Sequence, residues 1–374
     1  MATQSNGAGG TAAGLPQPQT TVEPAGGPFI RHSQPGRRPQ WTLANQPFGS
    51  IITQPLVAMP GYLRGLRLKW QITGGTGAGA VPSADAPYNI ASLVTLKDAF
   101  GTPLIVAPGY EALFLIPKYG GQFGTQSTRD ITNLPSNTPM TLAGNTQFST
   151  MLPLEFAKGY GVISGANASL LPNLIINTAA AAQVYSSVPG GTPLITLTND
   201  ADFYWLPEGV AVQPPGLGTT CQWVYQQCNP SIGSASSTTV QLPRMGGYLN
   251  VLILELRDST GARIDAWPTR IRILVDGVPL IDSDIQSVYD DMAISFQGTA
   301  RPVGVIAISR RTSLAQEDYG LFDTGESYLS TNPGTLIEVQ GAPWGAIANA
   351  PATLSCIIGQ VVPSGTLIQG LPEL

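Results

Sequence analysis

From about residue 47 the chain is written in short runs of alternating apolar and polar residues, broken by Gly, Pro, Asn and Ser. That spacing predicts an antiparallel β-sandwich. Leu66, Leu68, Trp70 and Ile72 alternate with Arg67, Lys69, Gln71 and Thr73, the period of a strand with one buried face. Leu252, Leu254 and Leu256 alternate with Ile253, Glu255 and Arg257 in the same phase. The two stretches also share letters: "GYLRGLRLKW" (61–70) and "GYLNVLILEL" (247–256) both read G-Y-L-x-x-L-x-L. A slip of one residue would exchange buried and exposed faces, so agreement in phase adds to agreement in letters.

The echo continues in order. "DAFGTPLI" (98–105) is answered by "DGVPLI" (276–281), "SLLPNLIINT" (169–178) by "YLSTNPGTLIEVQG" (328–341), and "TPLITLT" (192–198) by "ATLSCII" (352–358). The offset falls steadily along the chain, as a duplication with shorter loops in the second copy would produce. Each copy offers about eight strands: 49–58, 61–73, 91–97, 103–107, 111–118, 148–157, 173–178 and 183–198 in the first, and 237–243, 246–257, 270–275, 278–281, 292–296, 303–309, 335–340 and 352–362 in the second. Eight antiparallel strands in two sheets make a jelly roll, so the expected fold is all-β, two tandem jelly rolls. One helix is expected in "DSDIQSVYDDMAI", where Asp282 or Ser283 caps and Ile285, Val288, Tyr289 and Met292 share a face. Long turn-rich stretches are expected at 119–147 and 199–236, the second including the link between the rolls.

The expected division is an extended N-terminal arm over 1–46, a first jelly roll over 47–220, a linker over 221–236 and a second jelly roll over 237–374. The arm is rich in Gly, Ala, Pro, Gln and Thr and has no periodic apolar face with which to build a core. Its last part, "PFIRHSQPGRRPQW", carries Arg31, Arg37 and Arg38 with no acid among them. These three are the candidate contacts to phosphate or to a neighbouring subunit.

Composition narrows the function. Charged residues are 11% of the chain, well under the roughly 25% of ordinary soluble domains, while hydrophobic residues reach 43%, enough for a large core. A net charge of −5 argues against a whole-surface nucleic-acid binder. The first 27 residues lack the pattern of a secretion signal, and no run of about 20 apolar residues predicts a membrane span. Three cysteines, Cys221, Cys228 and Cys356, are too few for a disulfide scaffold; Cys221 and Cys228 bracket "QWVYQQ" at a spacing that allows a bridge, and reduced thiols are the expectation.

Catalytic chemistry finds little to work with. A duplicated jelly roll is also the plan of a bicupin, but that metal enzyme needs several converging imidazoles, and the chain has one histidine, His32, in the arm. The same scarcity removes Ser-His-Asp and Cys-His hydrolases. "TGGTGAGAVPSADAP" (73–87) has glycines but no Lys-Ser/Thr and no following helix, so it reads as a loop and not a phosphate cradle. Asp282 with Asp284, Asp290 with Asp291, and Glu317 with Asp318 are carboxylate pairs, but sequence neighbours rarely face each other across a cleft as a glycosidase requires. Asn167-Ala168-Ser169 matches a glycosylation acceptor that is idle without export. Trp70, Trp205, Trp223, Trp267 and Trp344 lack basic neighbours arranged for base stacking and are expected to pack in cores or interfaces. No catalytic residue, cofactor or metal site is expected.

With two tandem jelly rolls, a Gly/Pro/Arg-bearing arm, few charges and long loops, residues 47–374 resemble the double jelly-roll major capsid proteins of icosahedral viruses with an internal membrane, the tectivirus-like phages. The resemblance implies a structural, non-enzymatic subunit that trimerises into pseudo-hexagonal capsomers and tiles an icosahedral shell in the virion, after assembly in the host cytoplasm. Its implied partners are two further copies of the chain, neighbouring capsid trimers, penton and minor capsid proteins, and internal membrane lipids or genome met through the arm. The alternative is a trimeric β-sandwich spike protein that binds a receptor or carbohydrate, and after it a β-sandwich glycosidase.

Overall fold

A computed structural model of the chain describes residues 33–59, 61–120, 136–155, 161–165, 171–205, 219–234, 238–243, 246–296, 300–309, 329–341 and 343–363. The first half contributes β1 (Gln34–Gln46), β2 (Ile51–Pro55), β3 (Tyr62–Thr76), β4 (Val81–Pro82), β5 (Ala91–Lys97), β6 (Pro103–Ala107), β7 (Thr146–Pro153), β8 (Ile163–Ser164), β9 (Asn173–Thr178), β10 (Tyr185–Ser187) and β11 (Gly190–Trp205). The second contributes β12 (Thr219–Ile232), β13 (Thr238–Gln241), β14 (Tyr248–Arg257), β15 (Arg270–Val275), β16 (Val278–Asp284), β17 (Val305–Ser309), β18 (Leu329–Ser330), β19 (Ile337–Gly341) and β20 (Ala352–Pro363). Among the described residues, with the short strands β4, β8, β10 and β18 set aside, each half has eight.

The pairing order is the same in both halves. Sheet β1-β11-β3-β7 runs first-eighth-third-sixth, and β2-β9-β5-β6 runs second-seventh-fourth-fifth. In the second half β12-β20-β14-β17 and β13-β19-β15-β16 repeat those two orders. The fold is a double jelly roll. All four sequence echoes fall on equivalent elements: β3 with β14, the β5–β6 turn with the β15–β16 turn, β9 with β19, and β11 with β20.

The two rolls are joined through one sheet. β6, the fifth strand of the first roll, pairs in parallel with β12, the first strand of the second, at Ile105↔Trp223 and Val106↔Val224. Facing sheets of the two rolls thereby merge into β17-β14-β20-β12-β6-β5-β9-β2. First and fifth strands of a jelly roll run the same way, so the parallel join stands both rolls the same way up. One end of the molecule then holds the starts of β1 and β12, the ends of β11 and β20, and the β5–β6 and β15–β16 turns. The other end holds the β3–β5 and β14–β15 connections and the segments between fifth and sixth strands.

Several expectations are corrected. Residues 34–46, expected in the arm, form β1, antiparallel to β11 from Gln34↔Trp205 to Gln46↔Ile195. Pro35 and Pro39 and the adjacent arginines erase the apolar alternation, which is tolerated because β1 lies at a sheet edge. Residues 221–236, expected as a linker, hold most of β12. In that strand Cys221, Gln222, Trp223 and Val224 are buried in succession, so the period of two disappears. The turn-rich stretch expected over 199–236 thus begins with the end of β11 and closes with β12. The strand expected at 111–118 is instead a π-helical turn, Glu111–Leu115, running into helix α1, Ile116–Gly120. This run is buried nearly all round, with Glu111 and Lys118 its only charged residues, which hides its period. The strand expected at 292–296 is the end of helix α2, Ile285–Ser295, capped by Asp284, whose carboxylate accepts from the Gln286 and Ser287 amides at 3.0 and 3.1 Å. The two helices occupy the same place in the two rolls, between fifth and sixth strands, and touch where Tyr119 meets the Phe296 ring edge-on at 4.8 Å.

β3 keeps the expected faces, with Leu66, Leu68, Trp70 and Ile72 buried and Lys69, Gln71 and Thr73 exposed. β14 does not: Ile253 and Glu255, expected to be wet, are buried, because that face of the merged sheet lies under the first roll's helical segment.

Candidate functional site

The arm candidates are separated by the structure. Arg31 lies outside the described residues, as does His32. Arg37 and Arg38 sit on β1. Arg37 Nε donates to Asp202 Oδ1 at 2.7 Å while half its side chain stays exposed, and Arg67 Nη2 approaches the other Asp202 oxygen at 3.5 Å. Arg38 is exposed and donates to the Ala58 carbonyl at 3.0 Å. Strand geometry sends their side chains to opposite faces, so the two do not form one basic patch.

The carboxylate pairs do not converge. Asp282 bridges Arg270 and Arg272 at 2.6 and 3.1 Å, Asp284 caps α2, and Asp290 and Asp291 lie on that helix's exposed face. Glu317, Asp318 and Asn167 lie outside the described residues. Among the described residues no group of three or more His, Cys, Asp or Glu is placed to hold a metal ion, and no helix is long and apolar enough to cross a membrane.

What the structure concentrates instead is the junction between the rolls. At one end of it, Gln360 Nε2 donates to Gln222 Oε1 at 2.8 Å and Gln222 Nε2 donates to the Pro103 carbonyl at 2.7 Å, so two buried amides tie β20 through β12 to β6. Above them the Trp223 indole is clamped between backbones. A Cβ on Gly359 would lie 2.4 Å from the ring and one on Gly120 1.9 Å from it, so glycine is needed at both places for close approach.

The upper end of the junction is ionic. Arg257, at the end of β14, reaches Asp85 of the β4–β5 connection at 2.6 Å, Glu111 at the start of the helical segment at 3.3 Å, and Glu255 on its own strand at 2.9 Å. The last contact is an ion pair off the hydrogen-bonding direction. Arg263 pairs with the other Asp85 oxygen at 2.9 Å, donates to the Tyr110 hydroxyl, and stacks over that ring at 4.2 Å. Burial and the neighbouring Glu111 carboxyl push the Glu255 pKa well above the ordinary carboxylate range. Burial works against the Arg257 charge, yet Glu255, Glu111 and Asp85 together hold its pKa above the usual value. A proton on Glu255 relieves the crowding of buried carboxyls beside Arg257 and Arg263. None of these five residues was singled out from sequence; the available signal was that Glu255 interrupts the apolar run "LILEL".

Two outer edges complete the picture. Among the described residues β1 pairs only with β11 and β16 only with β15, so each has one open side. They are the first strand of the first roll and the fifth strand of the second, the same two positions that join within the chain. At the end bearing the starts of β1 and β12, Phe100 in the β5–β6 turn and Val278 at the start of β16 are 75% and 67% exposed. Trp205 and Tyr248 are partly exposed at the same end, while Trp70, Trp223, Trp267 and Trp344 are buried.

No family model matches this chain, and no curated protein matches it. Solved structures do. The major capsid protein of Sulfolobus turreted icosahedral virus is similar with a TM-score of 0.60 at 16% identity, over 87% of this chain and 96% of that one. VP54 of PBCV-1 gives 0.61 at 13%, over 88% and 93%. The major capsid protein of bacteriophage PM2 gives 0.51 at 13%, over 89% and 100%. At such identities the similarity is one of fold, and it spans both rolls.

Proposed function

We propose that the chain is a viral major capsid protein: a structural, non-enzymatic subunit that trimerises into pseudo-hexagonal capsomers and tiles an icosahedral shell in the virion, in the manner of tectivirus-like phages. The observation that carries the reading is the head-to-tail join of two upright rolls, fifth strand to first, which leaves one open side on a first strand (β1) and one on a fifth strand (β16) at the outer edges. A contact of that kind uses two different surfaces and repeats until it closes into a ring. With each copy supplying two rolls, three copies place six around one axis. The fold shared with three capsid proteins supports the reading, and so does a charge content of 11%, since surfaces buried against neighbours are depleted in Lys, Glu and Asp.

In this reading the end with Phe100 and Val278 faces inward. Arg31 is the candidate contact to internal membrane lipid or genome, and Arg37 and Arg38 sit at the β1 edge where a neighbouring subunit docks. Neighbouring trimers, penton proteins and minor capsid proteins are the further partners, met during assembly in the host cytoplasm. We take 34–205 and 219–363 as the two folding units. Light scattering and negative-stain electron microscopy of the purified protein test the reading. The expected result is a particle of three times the 39.1 kDa chain mass with a hexagonal outline. A stable monomer at micromolar concentration overturns it, and glycan binding by isolated molecules would favour a spike.

A further inference from the structure

Three cysteines lie in the second roll, and none is in a disulfide. Two of them meet. Cys228 on β12 donates to Cys356 on the neighbouring strand β20, with the sulfur atoms 2.9 Å apart. The contact is made by an irregularity: Gln227 pairs with Ser355 and Asn229 with Leu354, so Cys228 is the extra residue of a bulge. Gln226, two residues before it, stands directly opposite Cys356. Cys228 is half-buried, whereas Cys356 is fully enclosed on the strand between β12 and β14. Cys221, the partner that sequence spacing offered to Cys228, is buried opposite Val361, seven residues and roughly 23 Å along the same strand. It takes no part.

We propose that Cys228 and Cys356 form a redox-responsive pair, which a peroxide converts to a disulfide binding the first strand of the second roll to its last. The Cys228 thiolate attacks a peroxide oxygen; the O–O bond breaks, leaving a sulfenic acid on Cys228 and releasing hydroxide, which takes up a proton as water. The Cys356 sulfur then attacks the Cys228 sulfur. The S–S bond forms, the S–O bond breaks, and the departing hydroxyl leaves as water with the Cys356 proton. Two thiols lose two electrons and one hydrogen peroxide becomes two waters. Access sets the order, since only Cys228 is open to the oxidant. Burial and the adjacent Cys228 sulfur push the Cys356 thiol well up in pKa, so it waits as a neutral thiol until the sulfenic acid forms beside it. The bulge places the two sulfurs in contact before oxidation, so the step needs little backbone movement. The inference does not depend on the capsid reading.

The test uses the full-length protein with hydrogen peroxide near stoichiometry, followed by alkylation under denaturing conditions and peptide mass spectrometry without reductant. Titratable thiols are expected to fall from three to one, and a peptide linking Cys228 to Cys356 to appear about 2 Da below the sum of its reduced parts. The thermal midpoint should rise by about 5 °C or more and return on reduction, because the link closes a long loop in the unfolded chain. Cys221→Ser should behave as the wild type, and Cys228→Ser should form no intramolecular link. Three thiols persisting after treatment, a Cys228 carried on to sulfinic acid without a link, or a link through Cys221 would each overturn the proposal.

Discussion

Replacing Glu255 by Gln should stabilise the protein, and by an amount that depends on pH. Glu255 is 1% exposed and lies beside Glu111, Asp85 and Arg257. Its pKa in the folded chain stands well above the ordinary 4.5. As pH rises past that value the unfolded chain releases the proton and the folded chain keeps it. Folding then binds a proton, so stability falls as pH climbs toward the folded pKa, with a limiting slope of about 1.4 kcal/mol per pH unit for one proton. Gln has the shape of the protonated acid and an N–H to offer Glu111, and it titrates nowhere. The variant should therefore match the wild type near pH 4.5 and gain on it above, by up to about 1.4 kcal/mol for each unit. Urea unfolding at a series of pH values, followed by tryptophan emission from the buried Trp223 and Trp70, measures the difference. A gap that stays flat with pH, or a variant that loses ground as pH rises, would refute the shared-proton account of the junction.

Arg257→Met should cost about 3–5 kcal/mol in the same urea assay, since it leaves Glu111, Glu255 and Asp85 short of a guanidinium. Gly359→Ala sets a Cβ 2.4 Å from the Trp223 ring and should cost about 1–3 kcal/mol, part of it recovered by adding Trp223→Phe, as a double-mutant cycle would measure. Removing residues 1–32 should leave the thermal midpoint unchanged. Removing 1–46 deletes β1 with the partly buried Trp41 and Leu43 and should cost about 2–4 kcal/mol, read by calorimetry.

The duplication was legible because β3 has one wet face and β14, though buried on both faces, keeps the same letters in the same phase. β3 shows Leu66, Leu68, Trp70 and Ile72 inward and polar residues outward, and no other pattern explains that alternation. What stayed hidden stayed hidden twice, at the same two places. The first strand of each roll, β1 and β12, lacks a period of two for opposite reasons: β1 is an edge with Pro35, Pro39 and two arginines, while β12 is enclosed on both faces. The helical segment between fifth and sixth strands read as strand in the first copy, because "EALFLIPKYG" is apolar but for Glu111 and Lys118 and buried nearly throughout, and partly so in the second. The ionic junction was illegible for another reason. Asp85, Glu111, Glu255, Arg257 and Arg263 come from four separate segments, and only the parallel join brings them within reach.

The strand orders also govern how the chain can fold as it is made. In each roll the eighth strand lies between the first and the third: β11 between β1 and β3, β20 between β12 and β14. A nascent chain cannot close its first roll until residues 190–205 have left the ribosome. The finished roll presents β6 as a ready template for β12. The second roll closes later: β12 and β14 wait, with the strand between them missing, until residues 352–363 arrive. Long-range pairing of this kind is slow, so the exposed flanks of β12 and β14 are where synthesis is most open to misassembly and where a chaperone would be most needed.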